Sequence, residues 1–179
     1  MVGAGNWCCL RMRMESRASN VSLVRPTEPF RREHAELLEH IEHLAVAARE
    51  MPGLSEVERD SLRGRILSFL QGTLIPHARA EETVLYPEWA ELVGFADAAM
   101  PMVHDHETIV AWIEELASAS VSDVDRLQEL LYGLYALISV HFRKEEDLQL
   151  PVFDSHPEAA ERVLARMGES GGETHAHQH

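Results

Sequence analysis

The segment HARAEETVLYP, residues 77 to 87, recurs as HFRKEEDLQLP, residues 141 to 151, and EHAELLEHIEHLA (33 to 45) pairs in the same way with DHETIVAWIEELA (105 to 117). Two segments repeated in alternation predict two copies of one helix pair. The apolar spacing supplies the elements. Phe30, His34, Leu37, Ile41, Leu44 and Ala48 alternate steps of four and three, which is one buried helical stripe, and Met51-Pro52-Gly53 ends it. Ser55 with Glu58 forms a capping box for a second helix, striped by Leu62, Ile66, Phe69 or Leu70, Thr73, His77, Glu81 and Val84 and closed by Pro87. Pro76 lies inside it, removes a backbone donor and crowds the carbonyl of Gly72, so a kink or bulge is expected just before His77.

After a loop around Gly94, Met102, His106, Ile109, Ile113 and Leu116 mark a third helix. Ser122 with Asp125 opens a fourth, striped by Leu127, Leu131, Leu134, Ile138, His141, Glu145 and Leu148 and ended by Pro151. A short helix from Pro157 to Met167 comes next, capped by Ser155, stopped by Gly168 and docked through Val163 and Leu164. The expected class is all-α: an up-down-up-down four-helix bundle over residues 27–153 with a short extra C-terminal helix in 154–168. An irregular segment, 1–26, precedes it, and a disordered tail, 169–179, ends the chain.

The formal net charge of −14 repels phosphate backbones and argues against nucleic acid as a partner. No apolar run approaches the length that spans a bilayer, so no membrane partner is expected. Cys8 and Cys9 are adjacent and outside the patterned region, which argues against a disulfide framework and suits a reducing compartment. The N-terminal apolar stretch is too short for a secretory signal. A cytoplasmic protein is expected, monomeric or a weak homo-oligomer.

His34 and His106 fall in the first turns of helices one and three, and His77/Glu81 and His141/Glu145 near the ends of helices two and four. In an antiparallel bundle these positions share one end of the molecule, and all six lie on the buried stripe of their own helix. A carboxylate buried without a partner costs several kcal/mol, roughly, and two together repel. Two divalent or trivalent cations remove the conflict. Nitrogen and oxygen donors of this kind suit iron, manganese or zinc, and a shared carboxylate is the natural bridge between two metals. Glu82 and Glu146 compete for the carboxylate role but fall off the stripe, as surface or supporting groups. His104 competes with His106, which the repeat and the stripe favour. His40, His43 and His156 fit exposed or flanking positions, and His175, His177 and His179 lie in the tail.

The doubled HxxxEE with its trailing proline, together with one His on each of the first and third helices, resembles the bacterial-type hemerythrin-like, HHE cation-binding family over residues 28 to 153. The resemblance implies a non-haem centre of two iron ions, oxo- or hydroxo-bridged, with manganese or zinc less favoured. His34, His77, His106 and His141 would be terminal ligands, and Glu81 and Glu145 would bridge. The oxygen carriers of that family have HxxxH on the third helix, where this chain has Val110 after His106 and Met102 before it, so one nitrogen ligand is missing. Their fourth helix uses a carboxylate five residues after its His, which would be Glu146, so Glu145 rests on the four-residue spacing. Fewer protein ligands leave positions open for hydrogen peroxide, dioxygen or nitric oxide. The expected function is catalase- or peroxidase-like removal of peroxide or nitric oxide. The alternative is a di-iron binding or sensing protein without turnover. Tyr86, Tyr132 and Tyr135 are candidates to move protons.

Overall fold

A computed structural model describes residues 25–172. The expected irregular segment up to residue 24, with both cysteines, and the tail from residue 173 lie outside the described residues. Among these residues there is no strand. The first bundle helix is α1 (Glu28–Glu50). The second runs through α2 (Glu56–Phe69), α3 (Ile75–Ala80) and α4 (Tyr86–Val93), the third is α5 (Met100–Ser118), and the fourth runs through α6 (Val124–Lys144) and α7 (Leu150–Asp154). A final helix, α8 (Pro157–Gly172), packs on α3 and α7. The bundle is all-α and up-down-up-down, as its periodicity predicts.

The breaks in the second and fourth helices are π turns, at Leu70–Leu74, Glu81–Leu85 and Glu145–Gln149. Each ends two residues before a proline, namely Pro76, Pro87 and Pro151. A proline in a regular α-helix strands the carbonyl four residues back and collides with it. Here the residue before each proline reaches back five positions instead: Ile75 N–H donates to the Leu70 carbonyl, Tyr86 to Glu81 and Leu150 to Glu145. The widened turn gives the ring room and lets the helix continue. Pro87 and Pro151 therefore do not end their helices, contrary to expectation; Gly94, at φ 70°, ends the second.

Each π turn also inserts a residue and rotates the residues after it. Leu74 is buried where the stripe predicts Thr73, and Gln149 where it predicts Leu148; Leu148 is 61% exposed. Two caps differ as well. The Ser55 and Glu58 box is present, but Asp123, not Ser122, caps α6 by accepting from Arg126 N–H. The Ser155 hydroxyl donates to the Pro151 carbonyl rather than capping α8, and α8 runs on past Gly168.

The interior is built in layers. One apolar cluster holds Leu37, Leu74, Ile109 and Ile138, and another holds Phe30, Val84, Met102 and Leu150. On every bundle helix the site residues fall between a member of the first cluster and a member of the second. The polar layer is thus closed above and below by hydrocarbon, and α8 covers the second cluster with Ala159, Ala160 and Val163.

Candidate metal centre

His34, His77, Glu81, His106, His141 and Glu145 all converge in this layer, and each is buried. The antiparallel bundle is the reason, since it brings the starts of α1 and α5 beside the ends of the second and fourth helices. Both glutamates open a π turn, so the wide turn begins at the residue aimed into the cluster.

The inward atoms are the imidazole Nε2 nitrogens and the carboxylate oxygens. Glu81 Oε1 lies 3.0 Å from His77 Nε2 and 3.6 Å from His34 Nε2, and Glu81 Oε2 lies 3.5 Å from His106 Nε2. Glu145 is placed in the same way, with Oε2 3.7 Å from His34 Nε2 and Oε1 3.4 Å from His141 Nε2. Each carboxylate therefore presents one oxygen to each half of the duplication. The donor atoms of His34, His77 and Glu81 lie within 4.8 Å of one another, as do those of Glu81, His106 and His141. Glu81 belongs to both triads. Ligands about 2.0–2.2 Å from one metal stand about 3 Å apart when adjacent and about 4.4 Å when opposite, so each triad is close enough to close on one cation.

The outer nitrogen of every imidazole meets a carboxylate. His34 Nδ1 pairs with Glu146 at 3.0 Å, His77 Nδ1 with Glu33 at 3.0 Å, His106 Nδ1 with Glu82 at 2.8 Å and His141 Nδ1 with Asp105 at 3.1 Å. The pattern obeys the duplication. Glu33 and Asp105 each precede the first His of their half, and Glu82 and Glu146 each come directly after the inward Glu. Such a carboxylate holds the Nδ1 proton, fixes the ring and leaves the Nε2 lone pair facing inward.

These contacts leave buried atoms without hydrogen bonds: His34 Nε2, His77 Nε2, both oxygens of Glu81 and Glu145 Oε2. Buried polar atoms are ordinarily paired, and these five, all of them metal-type donors, point at one another. Burial opposes ionisation of Glu81, yet His77 and His34 prevail and hold it well below the usual carboxylate range. Burial likewise works against a charge on His34, but Glu146, Glu81 and Glu145 push it up to about 9. His77 and His141 are raised against the pull of burial by their carboxylates, whereas burial and His141 lower His106. Without a cation, protons on imidazoles do the work of neutralising the acids. A bound cation does the same work with the lone pairs. The donor set fits one.

Tyr86 also enters the cluster. Its hydroxyl donates to Glu145 Oε1 at 2.7 Å and lies 3.3 Å from His106 Nε2 and 3.2 Å from His141 Nε2. Burial, then Glu81 and Glu145, raise its pKa, so the phenol keeps its proton. Tyr132 is exposed and Tyr135 packs against the apolar core, so neither shares this position. His104 is exposed and bonded to Glu107, and His40, His43 and His156 are exposed. Stripe phase does not single out Glu33 and Asp105. A signal for them is nonetheless present, since an acid immediately precedes the His in both repeats.

Fold and site together define a class: a helical bundle whose interior holds a duplicated, cation-sized cluster of His and Glu. The family model of the hemerythrin HHE cation binding domain matches residues 25–165, and the chain belongs to that family. Neither a search of curated proteins nor one of solved structures gives a match. No helix among the described residues is long and apolar enough to cross a membrane.

Proposed function

We propose that the chain is a non-haem di-iron protein that removes a small oxidant, with hydrogen peroxide as first choice and nitric oxide as second. His34 and His77 would hold one iron, His106 and His141 the other, and Glu81 and Glu145 would span both. The observation that carries this is Glu81, whose two unpaired oxygens face separate His pairs. Bound iron would supply a redox couple and a Lewis acid to polarise the oxidant. The remaining work falls to the chain. Glu33, Glu82, Asp105 and Glu146 hold the imidazoles in one tautomer. The hydrocarbon above and below keeps bulk water away. Tyr86 holds a proton beside Glu145 Oε1, a donor and acceptor pair through which a proton can pass to a departing oxygen and return.

Peroxide is favoured by balance. Disproportionation turns two peroxides into two waters and one dioxygen and needs no outside electrons, whereas reducing nitric oxide needs a donor. Iron-loaded protein should release dioxygen from peroxide, and His77→Ala or Glu145→Ala proteins that still fold should not. Absence of turnover with both peroxide and nitric oxide rejects the proposal. A stable, reversible oxygen adduct in its place would make the protein a carrier or sensor.

A further inference from the structure

The duplicated site is not symmetric in its access. A cavity of about 20 Å³ adjoins His77, Glu81, His106 and His141, and its walls include Ile75, Ala78, Val110 and Phe142. That is close to the least space that holds one water-sized molecule. Outside it, between α3 and α5, lies a surface groove of about 360 Å³. Ile75, Ala78, His106 and Val110 line both the cavity and the groove. The barrier between solvent and cluster is therefore one layer of side chains, of which Ile75, Ala78 and Val110 are half-buried.

The repeat shows how the other half uses the same positions. Aligning HARAEETVLYP with HFRKEEDLQLP sets Ala78 against Phe142, and aligning the other segments sets Val110 against Leu38. Phe142 is fully buried, and its ring lies flat on His34, with centroids 4.6 Å apart and planes 4° apart. An aromatic ring thus covers the His34 side where a methyl group stands on the His106 side. The groove is also acidic, with Glu82, Glu107 and Glu114 against Arg79.

We propose that uncharged molecules the size of dioxygen, nitric oxide or peroxide reach the centre between Ala78 and Val110, and that Phe142 plugs the repeat-related route beside His34. This rests on the di-iron reading of the centre, but the cavity can be tested without metal. Crystals of the full-length chain prepared metal-free and pressurised with dioxygen should show gas density beside Ala78 and Val110, lost in Ala78→Phe. In iron-loaded protein, Ala78→Phe should slow nitric oxide association at least tenfold at unchanged iron content. Val110→Phe, at a half-exposed position, serves if the first variant fails to fold, and should slow it likewise. Gas density only beside His34, or unchanged association rates in a folded, fully loaded blocking variant, overturns the proposal. If the chain takes up no iron, the di-iron reading fails and the gas density alone decides the route.

Discussion

The hydroxyl of Tyr86 donates to Glu145 Oε1 at 2.7 Å, from a helix turn that the π turn at Glu81–Leu85 has just rotated inward. It is the sole O–H that reaches the cluster among the hydrogen bonds of the described residues. Tyr86→Phe keeps the ring and removes the proton. Peroxide turnover of iron-loaded protein should fall about 10²-fold, in the range for losing a general acid, while iron content stays that of the parent. Turnover within twofold of the parent would leave Tyr86 a packing residue.

Glu81 is the group common to both triads, so it should control metal uptake as a unit. Glu81→Gln should bind fewer than two irons per chain by elemental analysis. Ferrous ion should raise the melting temperature of the parent and leave that of the variant nearly unchanged. A site filled to a thousand times its Kd stabilises the folded chain by about 4 kcal/mol, which a calorimeter resolves easily.

The outer carboxylates make a matched pair of tests. Glu33→Gln and Asp105→Asn each take the charge from one imidazole Nδ1 partner, His77 and His141 respectively. Each should weaken metal binding by about 10- to 100-fold, as removal of such supporting partners does. Competition with a chromophoric chelator measures this. A variant of exposed Glu107, which bonds His104 rather than an inward imidazole, should not differ from the parent.

Asp154 ties the end of the fourth helix to the start of the first. It accepts from Thr27 N–H, from the Thr27 hydroxyl at 2.7 Å and from Arg31. Burial works against its ionisation, but the Thr27 and Arg31 bonds prevail and hold its pKa below the ordinary value of 3.8. A depressed carboxyl contributes stability above its unfolded pKa and loses it as pH falls through the folded one. Asp154→Asn should therefore cost about 1–3 kcal/mol at neutral pH. The gap between parent and variant should narrow as pH falls below the ordinary aspartate range, which denaturant titrations at several pH values can track.

Two glycines should respond with opposite sign. Gly64 lies inside α2, and a Cβ there would meet nothing within 4 Å, so Gly64→Ala should stabilise by about 0.5–1 kcal/mol. Gly94 holds φ 70°, so Gly94→Ala should destabilise by about 1 kcal/mol. Thermal melts of the metal-free chain compare the two.

Period and duplication make the bundle legible in the sequence, and stripe phase together with the antiparallel order of the helices brings the six inward His and Glu residues to one layer. Pro76 announces a local distortion, but Pro87 and Pro151 read as stops because proline is ordinarily incompatible with a continuing helix. A widened turn before each one changes that, and it explains why periodicity wrongly points Thr73 and Leu148 inward. Glu33 and Asp105 elude the pattern for a different reason. They lie beside the stripe rather than on it, and only the tertiary approach of a neighbouring helix gives them an imidazole to hold. Gln149 buries its amide without a partner, and nothing in the structure explains it.

The supporting acids of the two repeats do not all stay at home. Glu82 of the first half secures His106 of the second, and Glu146 of the second secures His34 of the first. A chain severed in the turn after Gly94 would leave each fragment with a ring that lacks its steadying acid. Metal capture should then require both fragments mixed together, so reconstitution from severed halves becomes a measure of how far the two copies have become mutually dependent.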